Sequence, residues 1–213
     1  EDYLTLIKSY VLNQNSLSRD SSGIPSIIFI CGGNSLSNSY VQDLLQWRER
    51  QGYEVIVGET SDIGSSTSSI KQFIQGVYNS SDYPPEHIVL IGDVSGTYQV
   101  ANYSNNGGSS DYDYTLLDGG DLLPEMTIGR ISANSSSDLA NIINKTIAYE
   151  KATYFDVIDP GWYESAALVG DPSSTGNSAI ITNEYIQNIL TNYGFEDVEL
   201  RSNSPYSSWM EDQ

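Results

Sequence analysis

Pro25-Ser26-Ile27-Ile28-Phe29-Ile30-Cys31-Gly32-Gly33 is the stretch on which the fold turns. Ile27 to Ile30 are apolar without alternation, and a proline and two glycines bound them, so they read as a short buried strand. An amphipathic helix follows, with Tyr40, Val41, Leu44, Leu45 and Trp47 on one face and Gly52 as its stop. Glu54 to Val57 form a second strand. Ser65 to Ser69 then offer N-caps to a helix carrying Ile70, Phe73, Ile74 and Val77. His87 to Ile91 are a third strand, and Met126 to Ile131 a fourth.

Downstream, Ser135 to Asp138 cap a helix that turns Leu139, Ile142, Ile143 and Ile147 inward. A strand–helix–strand unit then runs through Ala166 to Val169, Ile181 to Leu190, and Val198 to Leu200. Strands alternating with helices imply parallel pairing and right-handed crossovers. The expected fold is an α/β three-layer sandwich with a mainly parallel sheet in two subdomains, the second incomplete. The expected boundaries are a helical lead-in over 1–25, a first α/β subdomain over 26–151, and a linker with the start of the second over 152–213. The Gly-, Ser-, Asn- and Tyr-rich segment 94–120 is too long for an ordinary connection, so it is functional or carries small strands.

Charge narrows the partners. The 213 residues hold 28 Asp and Glu against 9 Lys and Arg, a net charge of −19. That excludes a nucleic-acid partner, which needs a basic footprint, and argues against an anionic membrane surface. No apolar run approaches the ~20 residues of a membrane span. Glu1-Asp2-Tyr3 opens the chain without the basic and apolar regions of an intact signal peptide, as in a mature exported protein or an excised piece.

The chain has a single cysteine, Cys31, and a single histidine, His87. A nucleophile–base pair requires contact at ~3 Å. His87 opens its strand while Cys31 closes its own. In-register parallel strands would separate them by about six residues, nearly 20 Å at ~3.3 Å each. Cys31 therefore reads as a small buried hydrophobe and His87 as a strand-edge residue. No Gly-x-Ser-x-Gly elbow stands in for them.

Functional groups of open parallel sheets gather at the carboxyl ends of the strands, where Asp93 and Asp171 each follow a Gly. Each Asp reads either as a turn or helix cap, or as a metal ligand, acid–base partner or phosphoacceptor. The acids are also uneven. Residues 72–129 contain no Lys or Arg but eight acids: Asp82, Glu86, Asp93, Asp111, Asp113, Asp118, Asp121 and Glu125. Asp118-Gly119-Gly120-Asp121-Leu122-Leu123-Pro124-Glu125 spaces three carboxylates on a Gly-containing loop. Such a loop suits a calcium ion, which takes six to eight oxygens, and equally suits a solvated acidic surface.

The order of segments resembles the gingipain family of cysteine endopeptidases. The resemblance rests on Gln46-Trp47-Arg48-Glu49-Arg50-Gln51-Gly52-Tyr53-Glu54-Val55, Val89-Leu90-Ile91-Gly92-Asp93, Ser110-Asp111-Tyr112-Asp113-Tyr114, Leu117-Asp118-Gly119, Ile128-Gly129-Arg130-Ile131 and Tyr193-Gly194-Phe195. It implies a secreted or cell-surface enzyme with a caspase-like fold acting on protein or peptide substrates. It further implies that Asp171 orients a catalytic His. A structural Ca2+ would be held by Asp93, Asp118, Asp121, the Leu123 carbonyl and Glu125. The family's catalytic His and Cys would fall after Gln213, in the remaining C-terminal part of the catalytic domain. In arginine-cleaving members an acidic residue downstream of the Asp171 position reads the basic side chain; that position falls near Ala179, beside a short deletion, so the resemblance does not support arginine specificity and leaves specificity open. The alternative reading is a non-catalytic, calcium-stabilised binding or surface module of the same fold. A receiver-like phosphoacceptor at Asp93 is a third, weakened because Cys31-Gly32-Gly33 stands where an acidic pair is required.

Overall fold

The computed structural model describes residues 23–105, 108–151, 164–170 and 177–202. The expected lead-in helix, the linker over 152–163 and Asp171 lie outside these residues. The chain divides into two compact units, Glu1–Glu150 and Lys151–Gln213.

The first unit is built on four parallel strands: β1 (Ser26–Cys31), β2 (Glu54–Glu59), β3 (His87–Ile91) and β6 (Thr127–Ile131), in the order β2-β1-β3-β6. All six residues of β1 are buried, as a central strand covered on both faces requires. Three helices cover the sheet: α1 (Ser39–Arg50), α2 (Thr67–Ser80) and α3 (Ser136–Glu150). On one face Ile27, Phe29 and Cys31 pack with Val41 and Leu44 of α1 and Leu139 and Ile143 of α3. On the other face Ile28 and Ile30 pack with Ile70 and Ile74 of α2, and with Tyr114 and Leu117 from the acidic segment. The alternation of side chains along one strand thus feeds two cores, which gives the three layers.

Local chemistry sets the helix ends. The Asn38 side chain accepts from Tyr40 N–H at the start of α1, and Ser66 accepts from Ser69 N–H at the start of α2. Asp138 Oδ2 accepts from the Asn134 and Ser135 amides ahead of α3, and these bonds hold its carboxyl below the ordinary range, the Ser135 hydroxyl contributing most. The long polar segment carries an antiparallel hairpin, β4 (Tyr103–Asn105) with β5 (Gly108–Ser110), and a 3-10 turn at Tyr112–Thr115.

The second unit contains β7 (Ser165–Val169) and β8 (Asp197–Arg201), parallel and joined by α4 (Ser178–Tyr193). Gly194, at φ 111°, ends α4 in the left-handed conformation, and Phe195 N–H closes the turn on the Leu190 carbonyl at 3.0 Å.

Candidate functional site at the carboxyl ends of the strands

β2 lies on one side of β1 and β3 on the other, so the chain reverses direction across the sheet between β1 and β3. The crevice beyond such a switch point is the usual ligand site of a parallel sheet. Here the chain's own backbone lies in it. A Cβ on Gly32 would sit 2.7 Å from the Gln99 carbonyl oxygen, and one on Gly92, at φ 132°, would collide with the Tyr98 carbonyl. Gly32 and Gly92 are glycines because Thr97 to Gln99 cross directly above them. Ladder bonds continue past the strand ends, from Gly32 N–H to Ile91 O at 3.0 Å and from Gly92 N–H to Ile131 O at 2.9 Å.

Asp93 stands at this edge as a turn anchor. Its Oδ1 accepts from Val94 N–H at 2.7 Å and its Oδ2 from Asn134 Nδ2 at 3.0 Å. These donors, the Val94 amide first and Ser132 next, hold the carboxyl below its usual range. Each oxygen thus accepts one hydrogen bond from within the fold.

Cys31 is fully buried, and burial pushes its thiol up to about 12, so it carries almost no thiolate at neutral pH. The register pairs Cys31 with Ile91 and His87 with Ile27. The offset is therefore four residues, about 13 Å at ~3.3 Å each, rather than the six expected from the sequence. His87 instead bonds Thr127 Oγ1 through Nδ1 at 2.6 Å and lies against the Tyr53 ring. It lines an open cavity of about 870 Å³ with Arg48, Tyr53, Thr127 and Glu150, at the opposite end of β3 from Asp93.

The acidic segment is held from outside by two cations that flank the Lys/Arg-free run, Lys71 and Arg130. Lys71 Nζ donates to the carbonyls of Asp113 and, at 2.6 Å, Leu116, while Gln75 Nε2 reaches the Leu117 carbonyl at 2.9 Å. Burial lowers the Lys71 ammonium's pKa, opposed by Asp113 and Glu125. Arg130 grips Asp111 through two bonds of 2.8 and 2.7 Å. The run's own boundaries were the available signal for these anchors, since only the residues that end it are cationic.

Within the loop each acid serves a nearby amide. Asp118 accepts from Gly119 N–H at 2.8 Å, Asp121 from Leu123 N–H at 2.9 Å, and Glu125 from Leu117 N–H at 2.6 Å. Their oxygens have the hardness calcium requires. Yet among the described residues no three His, Cys, Asp or Glu side chains converge as a metal site requires. The donor chemistry suits the ion, whereas the arrangement does not gather it.

In the second unit β7 ends at Val169, and Gly170 N–H bonds Arg201 O at 2.9 Å. Asp171 follows outside the described residues. Ala179 lies in the first turn of α4. No described helix is long and apolar enough to cross a membrane.

Residues 20–211 match peptidase family C25. Lys-gingipain of Porphyromonas gingivalis strain ATCC 33277 is 32% identical over 172 residues, which cover 76% of this chain and 10% of that protein. Gingipain R2 of strain W83 is 28% identical over 165 residues, covering 74% of this chain and 22% of that protein. The chain thus spans between a tenth and a quarter of the length of these relatives. The crystal structure of the Arg-specific cysteine proteinase gingipain R superposes with a TM-score of 0.67 at 25% identity, over 85% of this chain and 41% of that one. A solved protease structure superposes at 0.70 with 27% identity, over 86% and 41%. These neighbours share the caspase-like α/β fold expected from the sequence.

Proposed function

The chain belongs to peptidase family C25, and on that premise we propose that it forms the N-terminal part of the catalytic domain of a gingipain-like cysteine endopeptidase. In this reading it supplies the scaffold and one triad carboxylate, Asp171. The imidazole and thiolate come from residues other than His87 and Cys31, in the remaining C-terminal part of the domain. The thiolate attacks the substrate peptide carbonyl, the imidazole moves the proton, and Asp171 holds the imidazole's tautomer. The observation that carries the proposal is the family match together with a Cys31 thiol that burial pushes up to about 12 and that stands four residues of register, about 13 Å at ~3.3 Å each, from His87. Residues 1–213 alone are inactive in this reading.

The test compares peptidase turnover by residues 1–213 with turnover by the whole protein. The proposal expects none from the former, and activity from the latter that thiol alkylation abolishes while Cys31 stays unmodified. Turnover by residues 1–213 that survives Cys31→Ser would overturn it.

Calcium belongs to this proposal rather than to the observed geometry. The Lys/Arg-free acidic run and its all-oxygen donors support Asp93, Asp118, Asp121, the Leu123 carbonyl and Glu125 as ligands. Occupancy requires the loop to give up its present amide contacts. A secreted or cell-surface location follows from the resemblance to the family.

One observation favours the second reading, a non-catalytic module. The crevice at the β1/β3 switch is filled by Thr97 to Gln99, so the first unit offers structure there rather than a cleft. An intact peptidase activity in the whole protein excludes this alternative.

A further inference from the structure

Asp118 and Gly119 are exposed, in the part of the acidic segment between Leu117 and Asp121. The Gly119 amide donates to Asp118 Oδ1 at 2.8 Å, so this backbone nitrogen lies against the carboxyl group of the residue before it. Gly119 sits at φ 69°, a conformation that glycine adopts freely. Beyond its chain neighbours, a Cβ there would meet only Asp121 Oδ2, at 3.9 Å, and one on Gly120 would meet nothing within 4 Å. The pair is therefore uncrowded and open to water. Asp93 and Asp121 also accept from amides close by, yet they differ. Asp93 Oδ1 takes the next amide at 2.7 Å, but that residue is Val94, stiffened by branching at Cβ, and Asn134 holds Oδ2 at 3.0 Å. Asp121 accepts from Leu123, two residues on, which is the wrong spacing for a five-membered ring.

We propose that Asp118 is a site of spontaneous covalent modification, its side chain closing on the Gly119 nitrogen to a succinimide that opens to isoaspartate. The nitrogen bonds Asp118 Cγ, and one carboxyl oxygen leaves as water, carrying the amide and carboxyl protons. Water then adds to either ring carbonyl. Breaking the Cγ–N bond restores aspartate. Breaking the bond from the main-chain carbonyl carbon to nitrogen leaves the backbone running through the side chain. Water is the only co-reactant, and one molecule is released for each one consumed. The fold holds nitrogen and carboxyl together, a proximity that an unfolded chain finds only transiently. The product lengthens the loop's backbone by one carbon and moves the Asp118 carboxylate onto its α-carbon.

Incubation of the folded whole protein in oxygen-18 water at neutral pH, followed by mass spectrometry of its chymotryptic peptides, tests this without any activity. The peptide that holds Asp118 should gain heavy oxygen and separate into aspartate and isoaspartate forms, told apart by electron-transfer fragmentation. The peptide that holds Asp93 should do neither. Asp118→Glu should lose the label, because the longer side chain has to close a six-membered ring. The same protein unfolded in urea should take up label at Asp118 no faster than the folded one. An Asp118 peptide that stays unlabelled in the folded protein overturns the inference. So does label that persists at this position in Asp118→Glu, or faster labelling in urea, which would mean that the fold protects the pair.

Discussion

Arg130 and Asp111 meet through two parallel hydrogen bonds, Nε to Oδ2 at 2.8 Å and Nη2 to Oδ1 at 2.7 Å, across 19 residues of chain. The same guanidinium donates to the carbonyls of Gly92 at 3.0 Å and Val100 at 2.9 Å. One side chain thus ties β6, the end of β3 and the acidic segment together.

Arg130→Ala leaves a half-buried carboxylate and two carbonyls without their donor, and is expected to cost about 3 kcal/mol. Arg130→Lys recovers only part, since an ammonium lacks the planar fork. Urea unfolding measures both. A loss below about 0.5 kcal/mol for Arg130→Ala, the range of an ordinary surface change, contradicts the role.

Two glycines should respond in opposite directions. Gly92→Ala drives a methyl into the Tyr98 carbonyl at φ 132°, and costs on the order of 3 kcal/mol or more. Gly76 sits inside α2 with open space where its Cβ would go, so Gly76→Ala stabilises by about 0.5–1 kcal/mol. Thermal melts of the two variants check the sign of each.

Glu150 accepts from Arg48 at 2.5 and 2.8 Å, from Trp47 Nε1 at 2.6 Å and from Gln51 at 3.2 Å. Arg48 above all, with Trp47 and Gln51, lowers its pKa from 4.5. A depressed folded pKa gives stability that is present above the unfolded value and lost as pH falls through the folded one. Melting temperature should therefore fall as the pH drops below 4.5, and Glu150→Gln should flatten that fall while lowering stability at pH 7. An unchanged acid limb in the variant contradicts this.

Calcium should raise the melting temperature of the chain, because a ligand bound only by the folded state must stabilise it. Asp118→Asn combined with Glu125→Gln should remove the increase. Equal melting temperatures in calcium and in chelator contradict the proposed site.

The sheet was legible because its signals are local. Ile27 to Ile30 are apolar throughout and glycine-bounded, and the helices carry their buried residues at helical spacing, as Leu139 and Ile143 do. The acidic segment was legible only as composition. What holds it, Lys71 on α2 and Arg130 on β6, depends on tertiary contacts across about 40 and 20 residues, which no local pattern encodes. The same holds for Gly92, whose necessity comes from Tyr98 crossing above it. The register offset of His87 escaped for a related reason: strand alignment is set by packing on both faces, not by where each apolar run begins.

The most direct test measures kcat/KM for peptide cleavage by the whole protein in three forms: unchanged, Cys31→Ala with His87→Ala, and Asp171→Asn. The double variant should cleave as well as the unchanged protein, while Asp171→Asn should lose kcat/KM because the imidazole loses its carboxylate partner. Loss of activity in a folded Cys31→Ala, His87→Ala protein, or full activity in Asp171→Asn, would contradict a catalytic pair lying outside this chain and served by Asp171.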